Sequence, residues 1–157
     1  MDYKTNVMRL LDKKKLNYKH YSYVDTDAIS GIDVALVLGQ SPDQVFKTLV
    51  TTAKSGQHYV FVVPVNKELD LKKAASSVKE KSISMLKSKD LLSLTGYIHG
   101  GCSPIGMKKY FPTVIDKSAI DFETIIFSAG KIGYQVEMGL EDLKKVIRFD
   151  LQDIVVE

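Results

Sequence analysis

The residues best suited to chemistry in this sequence lie in one glycine-rich stretch, residues 96–109. This stretch holds four of the chain's ten glycines, its only cysteine and one of its four prolines. Glycine lets a ligand approach the main chain closely, and proline fixes its own φ and lacks an N–H. The core of the stretch is therefore predicted to be a stiff loop whose N–H groups could hold a carbonyl oxygen or a ribose edge; a tight structural turn is the alternative. The loop consists of Gly100, Gly101, Cys102, Ser103 and Pro104.

A lysine within a predicted strand is the second candidate. Residues 45–52 form a β-branched strand pattern whose alternation places Lys47 on one face with Val45 and Leu49. That is an unusual position for an ammonium group. Either the side chain reaches out to solvent from an edge strand, or it enters a partly apolar cavity. In the second case desolvation would lower its pKa and leave its N–H donors for a ligand.

Cysteine and histidine give weaker signals. His20, His58 and His99 are far apart and form no H-x-x-x-H or C-x-x-C pair, so a metal site has little support. A covalent pair of Cys102 with His99 or His20 is one hypothesis for catalysis. The structural alternative is that the lone cysteine only packs in the loop.

The elements that must position these residues alternate along the chain. Predicted helices cover residues 6–16, 32–38, 69–78, 89–94 and 140–147. Predicted strands cover residues 18–23, 45–52, 59–65, a short segment around 83, 113–116, 124–127 and 134–138. Residues 54–57 are predicted to join two of these strands as a hairpin. This order predicts an α+β domain with a mixed, largely antiparallel sheet.

Composition sets limits on the class of protein. The chain has 157 residues, 45% of them hydrophobic and 26% charged, which is typical of one globular domain over residues 1–157. No apolar run approaches the length of a membrane span. A single cysteine favours a reduced, cytoplasmic setting over a disulfide framework. The net charge of +3 permits contact with a nucleic acid without requiring it.

Five motifs occur together in order over nearly the whole chain. They are P-D-Q-V-F-K-T-L-V (42–50), L-D-L-K-K-A (69–74), T-G-Y-I-H-G-G-C-S-P-I-G-M-K-K (95–109), P-T-V-I-D (112–116) and S-A-G-K-I-G (128–133). In these motifs the sequence resembles the YbaK/EbsC family of Cys-tRNA(Pro) deacylases, which are relatives of the editing domain inserted in bacterial prolyl-tRNA synthetases. The EbsC-type branch is the nearer one. The resemblance implies a single α+β domain on a curved, barrel-like, mostly antiparallel mixed sheet with flanking helices.

The resemblance also implies an activity. A member of this family is a free-standing editing enzyme that cleaves the ester of cysteine mischarged onto proline tRNA, and of Cys-tRNA(Cys) when given access. The substrate's own thiol attacks its carbonyl and releases a cyclic thiolactone, formally a lyase-like reaction that needs no metal or cofactor. The expected partner is aminoacyl-tRNA, with prolyl-tRNA synthetase as a candidate second partner and no membrane.

Matching positions carry the family's site residues onto this sequence. The essential lysine is Lys47, and the loop glycine is Gly100 in the G-x-x-x-P pattern that ends at Pro104. Two positions depart from the family pattern: Ser30 replaces a pocket phenylalanine of the YbaK branch, and Gln135 replaces an aspartate. The remaining substrate-binding residues implied by the resemblance are Tyr23, Ser128 and Gly130, beside the loop residues Cys102 and Ser103.

Two other functions stay open at this point. The departures at Ser30 and Gln135 allow a deacylase for another small amino acid on tRNA. The other hypothesis is a non-enzymatic module that binds tRNA or a synthetase. Basic residues that could guide an acceptor stem, if the fold clusters them, are Lys72, Lys73, Lys108, Lys109, Lys144 and Lys145.

Overall fold

The computed structural model describes residues 3–157, which form an α+β arrangement. The helices of this part of the chain are α1 (Asn6–Lys13), α2 (Gly31–Val37), α3 (Leu71–Ser77), α4 (Ser88–Thr95) and α5 (Leu140–Leu143). Its strands are β1 (Lys19–Ser22), β2 (Phe46–Ala53), β3 (His58–Pro64), β4 (Ile83–Met85), β5 (Thr113–Asp116), β6 (Ile125–Ser128), β7 (Tyr134–Met138) and β8 (Asp150–Gln152).

The strands form two sheets. One has the order β1-β7-β6, and the other has the order β4-β2-β3-β5-β8. Only the β3–β5 and β5–β8 pairs are parallel among the strand pairs of residues 3–157, so the prediction of a mixed, largely antiparallel α+β fold is confirmed. An isolated parallel bridge between Val45 and Ile126 joins the two sheets. The expected curved sheet is therefore built from two sheets that meet at this bridge, without closing into a barrel in the described chain.

The central hairpin of β2 and β3 has apolar residues on both of its faces. Phe46 and Val50 belong to the main core cluster, whereas Leu49 and Ala53 pack with the second cluster, beneath α3. Because successive side chains of a strand point to opposite faces, β2 is covered on both sides. The predicted alternation of this strand is confirmed, and so is the hairpin, whose turn is closed by the Ala53 N–H donating to the Gln57 carbonyl at 2.9 Å.

Several boundaries differ from those predicted. The first helix ends at Lys13 instead of residue 16, since Lys15 adopts a left-handed backbone with φ of 58°. The last helix ends at Leu143 instead of residue 147. Strand β8 and a short 3-10 helix at Lys117–Asp121 were not predicted. Within residues 3–157 no helix is both long and apolar enough to cross a bilayer.

Candidate active site

The candidate active site is a cavity of about 540 Å³ in a gap along one edge of β2. On that edge β2 meets β6 just before its first residue, where the Ile126 N–H donates to the Gln44 carbonyl at 3.1 Å. It bonds to β4 only from residue 50 onward, where the Leu86 N–H donates to the Val50 carbonyl at 3.1 Å. The cavity fills the space between these two contacts, with walls from α2, β2, β4, α4, β6, β7 and the glycine-rich loop.

The open edge of β2 directs main-chain groups toward this gap. The Val45 carbonyl accepts the Val65 N–H at 2.8 Å, which shows that the odd-numbered residues of β2 pair with β3. Backbone directions alternate along an antiparallel strand. Phe46 and Thr48 therefore turn their N–H and C=O groups to the side where the cavity lies, as an unpaired strand edge does.

Lys47 lines this cavity and is half-buried. Burial lowers the pKa of its ammonium, and the charge of Glu68 partly opposes that shift. Within residues 3–157 the ammonium group of Lys47 has no hydrogen-bond or ion-pair partner. Of the two alternatives drawn from the sequence, the structure favours the cavity. The part of Lys47 in the chemistry remains a prediction.

The glycine-rich loop reaches the cavity through two of its residues. Gly100 has a φ of +87°, in the region that favours glycine, and it lines the cavity together with Cys102. The Gly101 N–H donates to the Ile98 carbonyl at 3.0 Å, and Gly101 does not line the cavity. That amide is therefore already hydrogen-bonded within the turn. The remaining candidate donors to an oxyanion are the N–H groups of Gly100 and Cys102.

Ser103 and Pro104 lie behind the loop and not at its surface. Both are buried and neither lines the cavity. The Ser103 hydroxyl accepts the N–H of Ile105 at 3.2 Å, which holds the chain's direction after the proline. Their contribution is therefore to the shape of the loop, and direct contact with a substrate is not what their position favours.

The thiol of Cys102 is poorly suited to covalent catalysis. The residue is 8% exposed, and burial raises the pKa of its thiol to about 12. Because the thiolate is the nucleophile, a thiol of this pKa is almost entirely protonated at neutral pH. The structure therefore supports packing of Cys102 in the cavity wall over the covalent hypothesis.

The other substrate-binding residues predicted from the resemblance separate into two groups. Tyr23, Ser30, Ser128 and Gln135 line the same cavity as Lys47. Gly130 does not line it, and it lies instead at a second cavity, on the other side of the turn formed by residues 128–133.

Three of these cavity residues already have internal partners. Ser30 is the N-cap of α2 and accepts the Asp33 N–H at 3.1 Å, while Ser128 accepts the N–H of Gly130 at 3.1 Å. The buried Gln135 accepts a hydrogen bond from the Gln40 amide at 2.8 Å. An uncharged amide pair thus occupies the position where the resemblance implies a carboxylate.

Thr48 is a cavity residue that the sequence reasoning did not single out. Its hydroxyl oxygen is buried and has no hydrogen-bond partner within residues 3–157. Buried polar atoms of this kind are uncommon, since each costs about 1–3 kcal/mol. A signal was present in the sequence, because strand alternation placed a hydroxyl group on the face that also carries Phe46 and Val50.

Residues 3–157 bring together no cluster of three or more histidine, cysteine, aspartate or glutamate side chains that could hold a metal ion. The polar groups at the cavity are one ammonium, main-chain amides, hydroxyls and an amide side chain, together with His99. Such a set can orient a polar ester and stabilise a developing negative charge on its carbonyl oxygen.

Comparison with known proteins identifies relatives of this chain. Residues 27–146 match the family model of the aminoacyl-tRNA editing domain. EbsC of Enterococcus faecalis is 43% identical over 98% of this chain and 94% of its own length, and its name assigns it provisionally as a Cys-tRNA(Pro)/Cys-tRNA(Cys) deacylase. The prolyl-tRNA editing protein ProX of Acetoanaerobium sticklandii is 24% identical over 94% of this chain and 92% of its own length.

A solved structure shares the fold. The crystal structure of a protein described provisionally as a trans-editing enzyme for prolyl-tRNA synthetase superposes with a TM-score of 0.84. It covers 99% of this chain and 100% of the other chain at 20% sequence identity. At that level of identity the superposition shows a common fold.

Proposed function

Because this chain belongs to the aminoacyl-tRNA editing domain family, we propose that it is a trans-editing deacylase that removes cysteine from Cys-tRNA(Pro), and also from Cys-tRNA(Cys). The observation that carries the proposal is that Lys47 and Gly100 line one cavity at an open strand edge. The name of the EbsC relative supports cysteine as the amino acid. A substrate of this kind implies a cytoplasmic setting. The solved neighbour, described as a trans-editing enzyme for prolyl-tRNA synthetase, suggests that synthetase as a second partner.

In this proposal the cavity holds the aminoacyl ester and the adjoining terminal ribose of the tRNA. The N–H groups of Gly100 and Cys102 face the ester carbonyl oxygen, where negative charge develops. The ammonium of Lys47 binds an oxygen of the terminal nucleotide, and the α-ammonium group of the substrate donates hydrogen bonds to the carbonyls on the open edge of β2. Orientation is the main requirement, since an aminoacyl ester is already activated.

The bond-breaking step uses the substrate's own thiol. Its sulfur forms a bond to the ester carbonyl carbon, and the bond from that carbon to the ribose oxygen breaks. The thiol proton ends on the ribose hydroxyl, so the products are a cyclic thiolactone and free tRNA. This step requires no enzymatic nucleophile, which agrees with the high pKa of Cys102.

The unpartnered hydroxyl of Thr48 leads to a prediction with two signatures. We expect Thr48→Val to lower kcat/KM for Cys-tRNA(Pro) about tenfold, the effect of one lost hydrogen bond of about 1.4 kcal/mol. The same change should leave the free energy of unfolding equal or higher, because valine removes a buried oxygen without a partner. Steady-state kinetics and urea denaturation measure the two quantities.

Thr51→Val is the matched control, because it makes the same substitution in the same strand. The Thr51 hydroxyl is fully buried, donates to the Tyr59 carbonyl at 2.9 Å and does not line the cavity. This variant should lose stability and keep its kcat/KM. Full activity of Thr48→Val, or a loss of stability equal to that of Thr51→Val, would remove Thr48 from the site.

A panel of charged tRNAs tests the proposed function as a whole. Purified protein is incubated with Cys-, Ser-, Ala- and Pro-tRNA(Pro), and release of free tRNA is followed. The proposal expects the fastest release from Cys-tRNA(Pro). Faster release from Ala-tRNA(Pro) would indicate a deacylase for another small amino acid, and no release from any charged tRNA would favour a binding module without enzymatic activity.

A further inference from the structure

A second cavity, of about 390 Å³, lies on the other side of the Ser128–Gly133 turn from the candidate active site. We call it the basic cavity, because Lys4, Arg9, Lys108 and Lys131 are among its lining residues. No aspartate or glutamate is among the described residues that line it. From this arrangement we infer that the basic cavity binds phosphodiester groups of the RNA strand whose 3′ end enters the active site.

The charges of the basic cavity are only partly compensated within the described chain. Lys4 pairs with Asp12 at 2.5 Å, so one of the four charges is balanced. Lys131 instead donates to the Tyr3 hydroxyl at 2.9 Å and lies 4.8 Å from the centre of that ring. The Arg9 guanidinium donates to the neutral Asn6 side chain at 3.3 Å, and within residues 3–157 neither Arg9 nor Lys108 forms an ion pair.

Three of the other lysines that the sequence offered as RNA contacts form ion pairs with acidic neighbours. Lys73 pairs with Asp153 at 3.2 Å, and Lys144 and Lys145 pair with acidic residues one helical turn away at 3.2 and 3.3 Å. Of the six candidates, Lys108 is the one that lines the basic cavity. A concave site with several cations and no lining carboxylate concentrates positive potential, which attracts phosphate groups.

The basic cavity and the active site are lined by neighbouring residues. Within the same turn, Ser128 lines the active site and Lys131 lines the basic cavity. Tyr3 of the basic cavity stacks on Tyr134 of the active site, with ring centres 4.7 Å apart. A strand that places its aminoacylated end in one cavity therefore passes beside the other, where Arg9 can bind a phosphate through two parallel N–H donors.

This inference rests on the proposed function for the identity of the RNA, and the test separates the two. The variant is the double charge reversal Lys108→Glu/Lys131→Glu, with both side chains exposed. Its matched control is Lys54→Glu/Lys81→Glu, which changes the net charge equally at two exposed residues outside both cavities. If the charge-reversal variant does not fold, the neutral variant Lys108→Gln/Lys131→Gln provides the same test with a smaller change.

The first measurement is the binding of an acceptor-stem RNA that ends in CCA and carries no amino acid, by fluorescence anisotropy across a salt series. We expect Lys108→Glu/Lys131→Glu to weaken binding at least tenfold and to lower the slope of log K against log salt by about 2, one for each lost phosphate contact. The neutral variant should fall between it and the wild type, and the control should bind as the wild type does.

The second measurement compares turnover of two esters of cysteine. With Cys-tRNA(Pro), the charge reversal should raise KM at least tenfold and leave kcat within about twofold, since binding through phosphates is uniform between ground and transition states. With 3′-cysteinyl adenosine, which has no phosphodiester strand, KM and kcat should equal those of the wild type.

Unchanged RNA affinity and salt slope in both cavity variants would overturn the inference, and so would an equal loss in the control. A loss of turnover on the short ester would also overturn it, because the effect would then lie in the active site itself. If the wild type deacylates none of the charged tRNAs, the proposed function fails. The binding measurement still tests whether the basic cavity binds RNA, because its RNA carries no amino acid and needs no turnover.

Discussion

Replacing Lys47 by alanine should lower kcat/KM for Cys-tRNA(Pro) at least a hundredfold. Lys47 lines the same cavity as Gly100 and has no ion-pair partner within residues 3–157, so its donors are available to the substrate. The side chain is half-buried, so the ammonium is partly desolvated, and this burial lowers its pKa. In the proposed role Lys47 positions the terminal nucleotide, and a misplacement of the ester by about 1 Å can lower the rate about 10²-fold. Single-turnover kinetics with enzyme in excess measures this effect.

Stability should not account for the loss. Burial disfavours the charged form of Lys47, so the uncharged Lys47→Met, of similar volume, should keep or raise the free energy of unfolding and be as inactive as Lys47→Ala. Lys54→Ala, which removes an exposed lysine just beyond the end of β2, is the control and should be fully active. Turnover of Lys47→Ala at the wild-type rate would exclude Lys47 from the reaction.

Cysteine should be released from tRNA(Pro) at least about a thousandfold faster than serine, which exceeds the roughly 10–200-fold that binding differences supply. The two side chains differ by one atom, and binding alone separates such similar groups by only about 1–3 kcal/mol. If the substrate's thiol is the nucleophile, the larger difference comes from chemistry, since a thiol ionises far more readily than a hydroxyl group. Single-turnover rates with both charged tRNAs at saturating enzyme measure it, and binding competition shows that serine-charged tRNA still reaches the site.

The pH dependence gives the same mechanism a second test. A substrate thiol with an ordinary pKa of about 8.5 predicts a rate that rises with pH and levels off above that value. The Cys102 thiol, whose pKa burial raises to about 12, would instead predict a rise that continues to high pH. Equal rates for cysteine and serine would mean that water, and not the thiol, attacks the ester.

Much of the fold could be predicted from local patterns. The β2–β3 hairpin followed from two β-branched segments around residues 54–57, and β5 and β7 occur at the predicted residues. What local patterns could not supply was the pairing between distant segments. Strand β8 is three residues long, and it pairs in parallel with β5, more than thirty residues earlier in the chain, so no turn or periodicity marks it.

The parts of the candidate site that could be predicted are those where a residue type is unusual for its sequence neighbourhood. Lys47 is a charge on an apolar strand, and the loop around Gly100 concentrates glycine and proline, so both were visible in the sequence. The gap that forms the cavity was not, because it depends on where β4 and β6 contact the edge of β2. The sequence also could not show that the Gly101 N–H is already hydrogen-bonded, since that bond depends on the turn made with Ile98.

The basic cavity shows the same limit. Its four cations come from segments more than a hundred residues apart, between Lys4 and Lys131, and separately each looks like an ordinary solvated side chain. Only the packing of the α1 region against the Ser128–Gly133 turn brings them together.

A crystal structure with 3′-cysteinylamino-adenosine, in which an amide replaces the reactive ester, would examine the proposed active site directly. We expect the analogue in the gap beside β2, with the Lys47 ammonium about 3 Å from one of its oxygens. Its carbonyl oxygen should lie about 3 Å from the N–H of Gly100 or Cys102. An analogue bound outside this cavity, or bound within it but beyond hydrogen-bond reach of both Lys47 and the loop amides, would contradict the proposal.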